Sequence, residues 1–445
     1  MKDICNKLLE TYDTRFLDNL DKETKQIWND TTRKTLSSKN PFIKNNANLV
    51  LSRLVQNHFN NNKPITDLLS GPMSFTLQKS AKYDMSVYIF GEYHGLKDDC
   101  KQFLKTKKGK KCKKKCKKKQ ICNRKTGRCI NKEGKIGKEI IKNNKGEEKE
   151  NNHEEMEIQD FLKELVNNTD VFLDLYFEFP QFLDYSYEDY DYLKSDARNI
   201  QYMDKIFSNF IECVQTETRL NNKNCELFRV HYIDIRKKGN DHFDSVIYKL
   251  RKSLITGQVK KNLKLLKEFT NIKKKDLLIM YNTDVKKNKY IQKELSKTPL
   301  KKEILSFCYD KIEDHINTTT INNLNSFSKE ILHIYPVVNM DIIISFVSEL
   351  ITITGIMVDV YTLSRIFRAE FKIGERYQPK RQHNIIIQAG DCHSKVYRSF
   401  LTKLKFLTIE TSGKETNMCY ADNYKGDRKS TRCLELNNIS QPLFN

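Results

Sequence analysis

The sequence predicts an α/β fold: a mainly parallel sheet with flanking helices, a helical N-terminal region, and a small basic insertion containing cysteines. Three observations carry this expectation. Four short runs rich in β-branched and aromatic residues recur along the chain: "MSVYIF" (85–90), "VFLDLYFEF" (171–179), "LFRVHYIDI" (227–235) and "NIIIQAG" (384–390). Continuous apolar runs of this length are what strands buried on both faces look like. Between the third and fourth runs lie helical patterns, including "DSVIYKLRKSLITGQVKKNLKLLKEF" and the apolar stretch from Asp341 to Phe371. Strands separated by helices build parallel sheets. Finally, residues 101–150 interrupt the plan with lysine runs and the polar "NNKGEEKENNHEE", a composition unable to bury a core of its own.

Taken in order, residues 1–80 alternate apolar and polar positions at helical spacing, as at Leu51, Leu54, Val55 and His58, and predict a helical lead-in. The α/β core then occupies 81–100 and 151–410, with 101–150 inserted in a connection. Residues 411–445 lose all periodicity and predict a surface tail. A chain of 445 residues has room for two or three such units and a sizeable core.

Charge is distributed unevenly. Residues 101–150 hold 21 Lys and Arg against five Glu, so +16 of the formal +22 sits there. An excess that local describes one tethered element seeking a polyanion, an acidic partner or solvent, rather than a whole chain built around nucleic acid. Twelve lysines from 101 to 119, with Phe103 as the single aromatic, favour phosphates or acidic protein surfaces over base stacking. The bias toward Lys, Asn, Ile and Tyr is also what AT-rich coding DNA produces. The opening "MKDICNKLLETYDTRF" is charged throughout and does not read as a secretory signal. The longest apolar run, "IIISFVSELITITGIMVDVYTL", is interrupted by Glu349 and Asp359, which predicts a buried helix and no membrane anchor. Of twelve cysteines, Cys112, Cys116, Cys122 and Cys129 crowd together; the others read as isolated thiols of a reducing compartment.

In an open parallel sheet, ligands sit outside the carboxyl ends of the strands. Those ends are polar here: Glu92 and His94 on the first run, Glu178 before Pro180 on the second, Asp234 and Arg236 on the third, Asp391 and His393 on the fourth. Imidazoles with carboxylates suit a divalent metal, with His94, His393, Glu92 and Glu178 as ligands and a coordinated water made acidic. As catalytic groups, Glu92 or Glu178 would serve as general base and Arg236 would steady an oxyanion, with Asp391 as a further carboxylate. The plainer alternative makes each a hydrogen-bonded rim residue, with Glu178 capping a helix and Asp234–Arg236 pinning a strand end. In "DVYTLSRIFRAEF", Asp359, Leu363 and Phe367 share a helical face that reads as core packing.

The stretches "VYIFGEYHG", "LDLYFEFP" and "IIIQAGDCHSKVYRSFL" resemble the Gly-Glu-x-His strand, the Glu strand and the closing Gly-x-x-His strand of the erythromycin esterase, TIKI/TraB and haem-binding ChaN-like superfamily. The resemblance implies an α/β fold whose histidines and glutamates line one cleft, used for metal-dependent proteolysis, ester hydrolysis or haem binding. Glu92, His94, Glu178 and His393 match its pattern. The chain departs from it in placing Asp391 before Cys392 and in the fifty residues inserted after the first motif.

Within the insertion, "ICNRKTGRCINKEGKIGKEI" (121–140) resembles the two-cysteine adaptor domain of large nucleocytoplasmic DNA viruses, with Cys122 and Cys129 in the paired positions. That resemblance implies a viral protein whose residues 101–150 bind a viral or host protein, in the cytoplasmic virus factory or the virion. From the residues alone, "NRKTGRC" is a turn, because Asn123 and Gly127 tolerate positive φ. Cys122 and Cys129 flank it as a disulfide or half of a metal site, although the cysteine spacings do not match CxxC knuckles. Two functional expectations stand side by side: a hydrolase-like, metal-assisted enzyme, and a non-enzymatic virion or virus-factory scaffold with a degenerate or haem- or metal-binding site.

Overall fold

The computed structural model describes residues 66–92, 100, 120–123, 128–131, 133, 155–169, 171–180, 210, 213, 225, 227–236, 242–256, 263–334, 340–371, 379–415, 433–437, 439–441 and 443. Its strands are β1 (Leu68–Ser70), β2 (Pro72–Ser80), β3 (Met85–Glu92), β4 (Gln120–Asn123), β5 (Arg128–Asn131), β6 (Glu155–Glu157), β7 (Leu173–Pro180), β8 (Phe228–Asp234), β9 (Asn384–Gly390), β10 (Leu407–Gly413) and β11 (Cys433–Glu435). The four apolar runs are β3, β7, β8 and β9. They lie side by side in a six-stranded sheet of order β10-β2-β3-β9-β7-β8. The pairs β3–β9, β9–β7 and β7–β8 are parallel, while β2 and β10 extend the sheet antiparallel. The fold is therefore mixed α/β with a mostly parallel main sheet.

Parallel neighbours need long crossovers. Helix α1 (Ile158–Asn168) leads from β6, a strand of the small separate sheet β11-β1-β6, into β7. The crossover from β8 to β9 holds α2 (His242–Thr256), a 3-10 turn at Leu263–Phe269, α3 (Lys274–Lys287), α4 (Lys289–Leu295), α5 (Lys301–His315), α6 (Thr318–Ile334) and α7 (Met340–Ile366). After β9 the chain enters α8 (Asp391–Lys403) without a loop.

Strand alternation splits the core in two. Val87, Ile89, Tyr176, Ile233, Ile385 and Ile387 pack under the large helical layer. Tyr88, Phe90, Leu175, Phe177 and Ile386 face Phe161, Leu162 and Leu165 of α1. Helix α7 is long and apolar enough to cross a membrane by composition, yet most of that stretch is buried within the fold. It is the central helix, as the carboxylates interrupting its sequence predict.

At the amino ends of β7 and β8 a buried charged network ties the sheet to α7. Arg229 grips Asp174 through Nε and Nη2 at 2.7 and 3.0 Å. His231 Nε2 lies 2.9 Å from the same carboxylate, and Arg365 Nε donates to His231 Nδ1 at 3.0 Å. Arg365 reaches on to Glu294 of α4 at 3.1 Å. The Arg365 bond fixes the tautomer, because Nδ1 must accept and Nε2 must therefore carry the proton given to Asp174.

Three expectations are corrected. Residues 68–80, placed in the helical lead-in, are strands β1 and β2; Phe75 and Leu77 alternate with Ser74, Thr76 and Gln78 at period two and pair with β3. Residues 1–65 of that lead-in lie outside the described residues. The expected surface tail is partly core: β10 joins the main sheet and β11 pairs with β1, with Leu434, Leu436, Ile439 and Leu443 buried. Nor do the scattered cysteines all remain thiols. Cys100 bonds Cys433, Cys213 bonds Cys225, and Cys392 is also disulfide-bonded. Among the described residues Cys308 is the free, buried one. Sequence spacing could not show the first pairing, which joins residues 333 positions apart.

Candidate active site

The carboxyl ends of β7 and β9 meet at the start of α8. Gly390 ends β9 and caps the helix, and its N–H donates to Glu178 Oε2 of the neighbouring strand at 2.6 Å. Glu178 therefore does cap, although it does so across strands rather than at a helix following Pro180. Three residues on, in the first turn, His393 turns its ring between two carboxylates. Nδ1 is 2.6 Å from Asp359 Oδ1, and Nε2 is 3.4 Å from Glu178 Oε1. Asp359 comes from the middle of α7, so the site is built where sheet, α7 and α8 converge. Tyr397, one turn along α8, stacks on the imidazole at 6.3 Å between ring centroids.

Arg236 closes the open side. Its Nη2 is 3.5 Å from Glu178 Oε1, while Nε and Nη2 each hold Asp234 at 2.8 Å. Asp234 thus orients the guanidinium, as expected of a pin at a strand end, and still leaves it beside Glu178. Exposure grades outward along the chain of groups: the side chain of Asp359 is 1% exposed, His393 4%, Glu178 10% and Arg236 25%.

Burial pushes the Asp359 carboxyl above its ordinary value, against the pull of the His393 charge and hydrogen bond. The Tyr397 hydroxyl is pushed far up, first by burial and then by the nearby Asp359 charge. That hydroxyl lies beside the Asp359 carboxylate and the Thr362 hydroxyl. Asp359 Oδ2, Thr362 Oγ1 and Tyr397 Oη are each buried without a partner among the described residues.

Asp391 and Glu92 stand apart from this line. Asp391 accepts from Ser74 Oγ and lies 3.4 Å from Arg398 Nη1, and Arg398 Nη2 donates to Ser74 at 2.8 Å. It is buried in a knot that ties α8 to β2 and β3. Gly91 makes room for it: a Cβ there would fall on the Asp391 carboxylate and the Ser74 hydroxyl. Glu92 follows Tyr88 and Phe90 on the α1 face of the sheet, where it accepts from Gln388 Nε2. Glu178 follows Tyr176 on the opposite face. The two glutamates flank the carboxyl edge from opposite sides. His94 lies outside the described residues, as do Cys112, Cys116 and the lysine run. Cys122 and Cys129 are register partners in the antiparallel β4–β5 pair.

The described side chains do not by themselves fit a metal. Between His393 Nε2 and Glu178 Oε1 a cation would find two donors, and the Arg236 guanidinium already stands against the same carboxylate. Among the described residues no group of three His, Cys, Asp or Glu side chains is placed to hold one.

Asp359, Gln388, Ser74 and Arg398 were missed by the sequence reading. Asp359 had a signal, since a carboxylate inside a helix apolar on all sides must find a partner in the core. Ser74 and Arg398 had none, because their meeting depends on the β2–α8 contact. No family model, curated protein or solved structure matches the chain, so the site is read from its own chemistry.

Proposed function

We propose that the chain is a large-DNA-virus protein whose α/β domain is a hydrolase acting on an ester or peptide bond, and whose residues 101–150 recruit a viral or host partner. One observation carries the hydrolase reading: the graded line Asp359–His393–Glu178–Arg236 at the carboxyl edge of the parallel strands, where such sheets bind ligands. Glu178 Oε1 and His393 Nε2 together form an acceptor pair for one proton of a water molecule. As that water's oxygen attacks the carbonyl carbon, negative charge grows on the carbonyl oxygen, and Arg236 faces it from the open side. The captured proton then passes to the departing alkoxide or amine, so water and substrate become acid plus alcohol or amine. The two sequence resemblances support the superfamily and the viral setting. Of the two locations the resemblance implies, the virion suits this protein better than the cytoplasm, because disulfides persist there.

The test is hydrolysis of chromogenic esters and unstructured peptides by the purified full chain. Glu178→Gln and His393→Asn should each lower kcat about a hundredfold or more while the fold survives. Metal analysis of the same preparation is informative both ways. A divalent metal lost on His393→Asn would place a cation between His393 and Glu178, whereas an active metal-free protein leaves the proton chemistry to the side chains.

A second reading is favoured by the closure of the network, since both ring nitrogens of His393 and both oxygens of Glu178 face protein groups. There the line is a strut in a scaffold protein. It predicts no hydrolysis, and Glu178→Gln that lowers the melting temperature instead.

A further inference from the structure

The strongest hold on His393 is at its inner end. Its Nδ1 bond to Asp359 is 2.6 Å, against 3.4 Å from Nε2 to Glu178. Asp359 is wholly buried on α7, whose neighbouring positions Val358 and Val360 are fully packed in the core. A carboxylate kept for stability alone would be expected to have both oxygens satisfied. Here Oδ2 has no partner, and neither do the Thr362 and Tyr397 hydroxyls beside it. Three buried polar atoms without a well-formed hydrogen bond at one carboxylate are a cost to folding. Such costs concentrate where a site needs a group held in one pose.

We propose that Asp359 is the positioning residue of this site: it accepts the Nδ1 proton of His393, fixing ring plane and tautomer so that the Nε2 lone pair addresses Glu178 and the cleft. Tyr397, stacked on the ring, and Thr362, one turn from Asp359, form the wall that keeps the carboxylate in place. The consequence for rate rests on the hydrolase reading above; the consequence for the tautomer does not.

The experiment is long-range proton–nitrogen NMR on the full chain with labelled histidine, the His393 signal being identified by its loss in His393→Asn. The wild-type ring should carry its proton on Nδ1, and Asp359→Asn should convert it wholly or partly to the Nε2 tautomer. Tyr397→Phe should leave the tautomer unchanged. In the hydrolysis assay, Asp359→Asn should lower kcat about a hundredfold or more with KM changed less than about twofold. A wild-type ring protonated on Nε2 would overturn the proposal even if no Asp359 variant folds, and so would an Asp359→Asn protein with unchanged tautomer and rate. An inactive wild type with the Nδ1 tautomer and its conversion in Asp359→Asn would support the positioning role and sink the hydrolase reading alone.

Discussion

At Gly91 a missing side chain decides how closely helix and sheet meet. Because Asp391 and Ser74 occupy the space where its Cβ would stand, Gly91→Ala must push α8 away from β3 or break the Asp391 knot. A loss of about 1–3 kcal/mol is expected, read as a lower urea midpoint with unchanged m. His231 makes a different prediction. Burial, and next the Arg365 charge, lower its pKa from 6.5 to about 3, so the native state refuses a proton that the unfolded chain accepts. Between those values the unfolded state binds more protons, so stability is full above pH 6.5 and falls as the pH drops toward 3. The loss is on the order of a few kcal/mol, and His231→Gln should flatten that slope in urea titrations across the same window. Glu178 and His393 were legible in the sequence because strand ends in parallel sheets are exposed to function by topology. Asp359 was assigned to packing, correctly as to burial; its partner lies 34 residues away on another helix, which periodicity does not encode.

Helix α7 shows why the elements were easier to read than their pairing. Its apolar surround forces it to the centre whatever the order of strands, and the four apolar runs make up the parallel part of the sheet, three of them inside it and β8 at its edge. Leu350, fully buried on it, should cost about 2–5 kcal/mol when changed to Ala, measured by the same denaturation. Strands β1, β2 and β10 were read less well. They are edge or near-edge pieces, short or alternating, and a period of two in "SFTLQ" is easily lost inside a longer helical pattern. In "NRKTGRC" the sequence showed a turn but not the paired strands β4 and β5 on either side of it, which are four residues each.

For the whole molecule, the insertion is expected to be separable, since long surface loops cost little closure entropy. Deleting residues 103–150 and bridging with a few Gly and Ser, with Cys100 kept, should preserve one cooperative unfolding transition and reduce binding to heparin. Aggregation of the shortened chain would show that the insertion helps hold the core. Removing the Cys100–Cys433 bond by paired Ser substitutions should cost about 2–5 kcal/mol, because it frees a loop spanning most of the chain.

That bond also changes what a protease can accomplish. Cys100 precedes the basic insertion and Cys433 lies near the far end, so every peptide bond between them belongs to a closed covalent ring. A protease attacking the lysine-rich segment therefore opens the ring without releasing a piece. The two portions stay tethered and the parallel sheet, which draws β3 from one portion and β7, β8 and β9 from the other, stays assembled. A nicked protein would run as one band without reductant and as two with it, and trimming of the insertion would leave the carboxyl edge of the sheet in place.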